Sequence, residues 1–131
     1  MKKLLACLLA LALALCLTAP AETEEKETHK SGDYTYVILD DGTAEIAKYN
    51  GYAEELDIPS ELDGILVTSI GYWAFSDCSS LTAVTIPDSV THISSNAFAG
   101  CSYRLTLTVS PDSYALQYCK KNGIKYILPD T

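Results

Sequence analysis

The sequence predicts an α+β fold, a short solenoid of stacked coils with an N-terminal β-hairpin and a C-terminal helix–strand cap. Three observations predict it. The segment TSIGYWAFSDCSS from Thr68 is echoed by THISSNAFAGCSY from Thr91, so that Ile70, Ala74, Phe75 and Cys78 recur as Ile93, Ala97, Phe98 and Cys101, each 23 residues later. A fixed period of this length marks an array in which each turn buries its apolar side only against its neighbours. The alternation of Tyr34, Tyr36 and Ile38 with Thr35, Val37 and Leu39, broken at Asp40-Asp41-Gly42, reads as a hairpin. The stretch from Ser110 to Leu128 carries a helix's start and stop signals followed by one more extended run.

Residues 1–21 are read as a secretory signal peptide. Lys2 and Lys3 precede the apolar run Leu4 to Leu17, and Ala19-Pro20-Ala21 supplies small residues for cleavage. The apolar run is too short for a membrane span. Cys16 offers a competing reading, a lipid anchor at the cell surface, although Leu15 stands where a small residue is expected before a lipidated cysteine. Free secretion is the preferred reading. Removing residues 1–21 takes away two of the nine Lys and Arg and none of the seventeen acids, which leaves a net charge of −10. Nucleic acid and anionic membrane select basic faces, so neither is expected as a partner. Residues 22–32 are polar and lack aromatic or branched apolar side chains apart from threonine; they are expected to be a disordered leader, with the folded domain spanning 33–130.

Within the domain, Thr43 to Tyr49 forms the second arm of the hairpin and Asn50-Gly51 the next turn. Leu56-Asp57-Ile58-Pro59 then matches Val84-Thr85-Ile86-Pro87, with a third echo at Leu107-Thr108-Val109. Ile58 and Ile86 are 28 apart against 23 for Ile86 and Val109, so the first coil carries five extra residues, placed at Asp63-Gly64. Each echo has apolar residues around one polar residue, as a short strand with one buried face requires. Asp57, Thr85 and Thr108 are expected to form one outward row, and Glu55, Ala83 and Thr106 another. Phe75 and Phe98 are expected to stack as a ladder in the coil interior. In the closing segment Ser110 is the expected N-cap, Pro111 the first helical position and Gly123 the left-handed C-terminal residue.

The coil VTIPDSVTHISSNAFAGC resembles a BspA-like leucine-rich repeat, a type found in bacterial and protist surface proteins. YVILDDGTAEIAKYNG is similar to the hairpin that often precedes such repeats, and SYALQYCKKNGIKY resembles their terminal cap. Together the likeness covers residues 33 to 128. It implies a leucine-rich-repeat solenoid that binds protein or another surface polymer outside the cell, in an adhesion-like role, with no catalytic residues to carry over. A structural or accessory domain of a cell-envelope assembly is the alternative.

The residues themselves offer little chemistry. Serines at 76, 79 and 80 have no nucleophile elbow around them, and no His or Cys spacing suits zinc. Asp40, Asp41 and Glu45 do not match a calcium loop and read as a solvated hairpin turn. No enzyme activity, metal or cofactor is expected. Cys78 and Cys101 lie on adjacent coils, whose stacking distance of about 4.8 Å a disulfide accepts. A bridge there would add about 3 kcal/mol. Packed thiols are the preferred alternative, since both side chains are expected to point the same way into the core. The binding candidates are aromatic. Tyr72-Trp73 stands where the next coil has Ser95-Asn96, so the repeat does not demand these rings, and Tyr49 and Tyr52 are candidate neighbours in the same patch; the alternative is that the widened first coil uses Trp73 as extra packing beneath the hairpin.

Overall fold

The two apolar groups of each coil build two separate sheets. The computed structural model describes residues 26–129, so the signal-peptide and Cys16 expectations lie outside the described residues. The elements are β1 (Thr28–Ser31), β2 (Tyr34–Ile38), β3 (Ala44–Tyr49), β4 (Glu55–Asp57), β5 (Glu61–Leu62), β6 (Ile65–Ile70), β7 (Ala83–Thr85), β8 (His92–Ile93), β9 (Thr106–Thr108), α1 (Tyr114–Asn122) and β10 (Lys125–Ile127). The first sheet runs β10-β9-β7-β4, all parallel. Its register places Leu56, Val84, Leu107 and Tyr126 in one row, flanked by the rows Glu55-Ala83-Thr106-Lys125 and Asp57-Thr85-Thr108-Ile127. The outward rows are thus those the 23-residue echo requires.

The second sheet runs β1-β2-β3-β6-β5, with β8 also paired to β6. Ile46, Ile70 and Ile93 share one register row across β3, β6 and β8 and are buried. The hairpin at Asp40-Asp41-Gly42 forms as expected, with Asp41 Oδ1 accepting from the Thr43 amide at 3.0 Å and its hydroxyl at 2.6 Å. Glu45 accepts from the buried Ser69 hydroxyl at 2.6 Å. These structural roles account for two of the three carboxylates weighed as cation ligands. The extra residues of the first coil form the antiparallel β5–β6 pair, turned by Asp63 and Gly64, both left-handed at φ 54° and 82°.

The leader expectation requires correction. Thr28–Ser31 is a strand, paired antiparallel with β2 across a two-residue Gly32-Asp33 turn, and the His29 ring stacks on Tyr36 at 5.2 Å. Main-chain ladder bonds need no apolar side chains, so composition alone did not reveal this strand. The helix start also differs. Ser113, not Ser110, is the N-cap; its Oγ accepts from the Leu116 amide at 3.1 Å, and Ser110 to Asp112 form a preceding turn. Ser110 instead donates to Asp88 Oδ1 at 2.5 Å. Gly123 takes the left-handed position expected of it, at φ 69°.

A column of aromatic rings runs through the interior. Tyr34, Tyr49, Phe75, Phe98 and Tyr118 follow one another with centroid separations of 5.3, 5.4, 5.1 and 6.4 Å. The expected Phe75–Phe98 ladder is its centre. Tyr34 and Tyr49 extend it beneath the first coil, and Tyr118 of α1 extends it at the far end. Between the coils, Gly100 lies so close to Asp77 that a Cβ there would fall 2.1 Å from Asp77 Oδ1. Its φ of +76° also disfavours any side chain.

Candidate binding surface

The sharp turn after β6 presents the two aromatics that break the echo. Tyr72 is 71% exposed and Trp73 54% exposed. Trp73 is left-handed at φ +59°, whereas its counterpart Asn96 is not. A bulky residue in this region is strained by about 1–3 kcal/mol and persists only where its surroundings impose the conformation. The same turn closes through the Trp73 carbonyl, which accepts from the Ser76 amide at 3.0 Å.

Tyr72 forms one wall of an open groove of about 330 Å³. The groove is also lined by one face of α1, where Tyr114, Gln117, Tyr118 and Lys121 recur at helical spacing, and by β8. The groove is held in shape by α1 itself. Tyr114 donates its hydroxyl to the Ile93 carbonyl at 3.5 Å and Tyr118 to that of Ser95 at 3.3 Å. His92 and Tyr114 have ring centroids 6.0 Å apart. Burial pushes the Tyr118 hydroxyl up to about 12, so it remains a proton donor at any physiological pH.

The other aromatic candidates lie elsewhere. Tyr52 is 90% exposed and borders a different depression of about 350 Å³, beside Lys48, Asp77 and Cys78. Tyr49 is corrected from a candidate contact to a core residue. It is 4% exposed, with its ring held between Tyr34 and Phe75. The alternation of the hairpin explains this, since Ala44, Ile46 and Tyr49 face the core around a local register shift. His92, Tyr114 and Lys121 escaped sequence reasoning as site residues. The helical spacing of Tyr114 and Lys121 was visible, but nothing in the sequence says that α1 packs against β8 or that both border one groove with Tyr72.

Cys78, Cys101 and Cys119 are free thiols. Cys101 Sγ donates to the Phe75 carbonyl at 3.1 Å, a contact that links adjacent coils without a covalent bond. Burial pushes the Cys101 and Cys119 thiols up to about 11 and raises Cys78 as well. Thiols held protonated in this way are poor nucleophiles. Among the described residues, no group of three or more His, Cys, Asp or Glu side chains gathers for a metal, and no helix is long and apolar enough to cross a membrane.

The fold has solved counterparts. It is similar to a leucine-rich cell surface protein from Faecalibacterium prausnitzii, at 29% identity and a TM-score of 0.64, covering 79% of this chain and 31% of that one. A leucine-rich repeat protein of T. pallidum matches at 24% identity and a TM-score of 0.52, covering 69% of this chain and 47% of that one. One from Bacteroides capillosus matches at 29% identity and a TM-score of 0.46, over 63% of this chain and 71% of that one. The chain thus spans about a third of the F. prausnitzii protein and under half of the T. pallidum protein. No match was found among curated proteins. Residues 39–125 match the BspA type leucine rich repeat region in six copies. With the repeat's apolar rows stacked in parallel register and its sequence model matched over most of its length, the chain belongs to the BspA-type leucine-rich repeat family.

Proposed function

We propose that the chain is an exported, non-enzymatic module that binds an extracellular protein or surface polymer through the face carrying Tyr72 and Trp73. The observation that carries this reading is the exposure of both rings at positions where the neighbouring coil has Ser95 and Asn96. Large exposed rings that packing does not require are the usual anchors of recognition surfaces. The left-handed Trp73 supports the same reading, because backbone strain gathers at functional sites. In this reading residues 1–21 direct export and the mature chain is secreted freely. The helix α1 and strand β10 close the solenoid, and Cys78 and Cys101 act as packed thiols. Adhesion is the biological role that such a module fits.

The test is capture of surface material from host and bacterial extracts by the purified chain, alongside Tyr72→Ala and Trp73→Ala. Trp73 is the chain's single tryptophan, so its fluorescence also reports on this face directly. Captured material should protect Trp73 from acrylamide quenching, and either substitution should reduce capture at least tenfold with the circular dichroism unchanged. Undiminished capture by both variants would sink the reading and leave the accessory role.

A further inference from the structure

We infer that the groove between Tyr72 and α1 binds a carboxylated sugar, a pyranose of the uronic or sialic acid class. The inference rests on the reading of the Tyr72 face as the binding surface and names the ligand class for that face. Charge is the first ground. The chain has seventeen Asp and Glu against nine Lys and Arg, yet among the described residues no acidic side chain lines this groove, whereas Lys121 and His92 do. Lys121 is exposed and takes no part in the one ion pair found among the described residues, which joins Lys26 to Asp40. An unneutralised cation in a groove free of acids, on a strongly acidic protein, selects an anionic group against the field of the rest of the surface.

The rings and amides supply the remainder. Tyr72, Tyr114 and His92 bring flat rings to the lining of the groove, suited to the C–H face of a pyranose. Gln117 and Asn122 stand beside Lys121 along the helix. Asn122 donates its amide to the Tyr118 carbonyl at 2.9 Å, which leaves its oxygen to accept from a sugar hydroxyl. An extended peptide is disfavoured by the same geometry. The carbonyls of Ile93, the last residue of β8, and of Ser95 just beyond it already accept from Tyr114 and Tyr118, so this stretch offers little to a strand seeking main-chain partners. A volume of about 330 Å³ suits one sugar unit at a glycan's end.

The test is a titration of the purified chain followed by amide chemical shifts, using methyl glucuronide and N-acetylneuraminic acid. Methyl glucoside serves as the neutral control and hexaglutamate as the acidic peptide. Saturable shifts at Gln117 and Asn122 are expected with both carboxylated sugars, at least tenfold tighter than with methyl glucoside. Lys121→Glu should lose at least tenfold, whereas Lys48→Glu in the other depression should change nothing. Equal binding of glucuronide and glucoside, or no saturation by either acid, overturns the inference. Binding of hexaglutamate with silent sugars also overturns it. If sugars are silent but capture of surface material still depends on Tyr72, the ligand class alone is wrong. If capture no longer depends on Tyr72, the underlying reading fails with it.

Discussion

Truncating Phe75 to alanine removes the middle ring of the aromatic column, and the cost can be worked from its surroundings. Phe75 is 0% exposed, and its ring stacks on Tyr49 at 5.4 Å and on Phe98 at 5.1 Å. Deleting a buried phenylalanine side chain costs about 3–5 kcal/mol in lost transfer energy and cavity. Each aromatic pair adds about 0.5–1.5 kcal/mol beyond area, only partly independent of the cavity term. The expected loss is therefore about 4–6 kcal/mol. Total stabilities are about 5–15 kcal/mol, so Phe75→Ala is expected to be partly unfolded at room temperature if this domain lies at the low end. Phe75→Leu provides a graded companion, expected to cost about 1–2 kcal/mol because it keeps most of the volume and loses the ring pairs. Urea unfolding followed by far-UV circular dichroism measures both, read as a change in midpoint at constant slope. Phe98 is 6% exposed and its outer neighbour Tyr118 is tilted at 6.4 Å, so Phe98→Ala should cost less than Phe75→Ala. A loss below about 2 kcal/mol for Phe75→Ala, or the reverse order of the two, would refute the column as the domain's spine.

The cap assignment separates two neighbouring serines. Ser113→Ala should cost about 1 kcal/mol by freeing the Leu116 amide, while Ser110→Ala should leave α1 intact; comparable helix loss from both would return the cap to Ser110. Alkaline stability follows from the buried thiols and phenol. Cys101 and Cys119 are raised to about 11 and Tyr118 to about 12, so each holds its proton longer in the folded chain than in the unfolded one. That contribution is complete below about pH 8 and is lost as pH rises towards about 12. Urea midpoints should fall between about pH 8 and pH 10.5, and Cys119→Ala should make the fall shallower; a midpoint rising with pH would contradict this.

Much of the architecture was legible because periodic burial writes itself into the chain. The echo between coils carries the rows Leu56-Val84-Leu107 and Ile70-Ile93 and the Phe75–Phe98 stack. Arithmetic gave the five extra residues of the first coil, and the turn signal of Asp63-Gly64 placed them. Strand β1 was not legible, since its partner is the main chain of β2 and its own side chains carry no apolar signal. The helix start was misplaced by three residues because Ser110 and Ser113 offer the same capping oxygen. Choosing between them needed the path of the preceding turn, in which Asp112 is left-handed at φ 63°.

The candidate site divides the same way. The failure of the repeat at Tyr72-Trp73 could be read by comparing two coils, and it led to rings that stand exposed. Tyr49 could not be told from them, because a tyrosine beside a turn reads alike whether it points into a core or into water. By itself the sequence determined the repeat, its apolar rows and the acidic surface, all of which depend on residue type and local spacing. Only the tertiary structure decided that α1 packs against β8, that Tyr118 ends the aromatic column, and that Lys121 and Tyr72 border one groove that no acidic side chain lines among the described residues. Those are meetings between residues far apart in sequence. They are set by how the terminal helix packs on the last coil, and one-dimensional spacing carries no record of it.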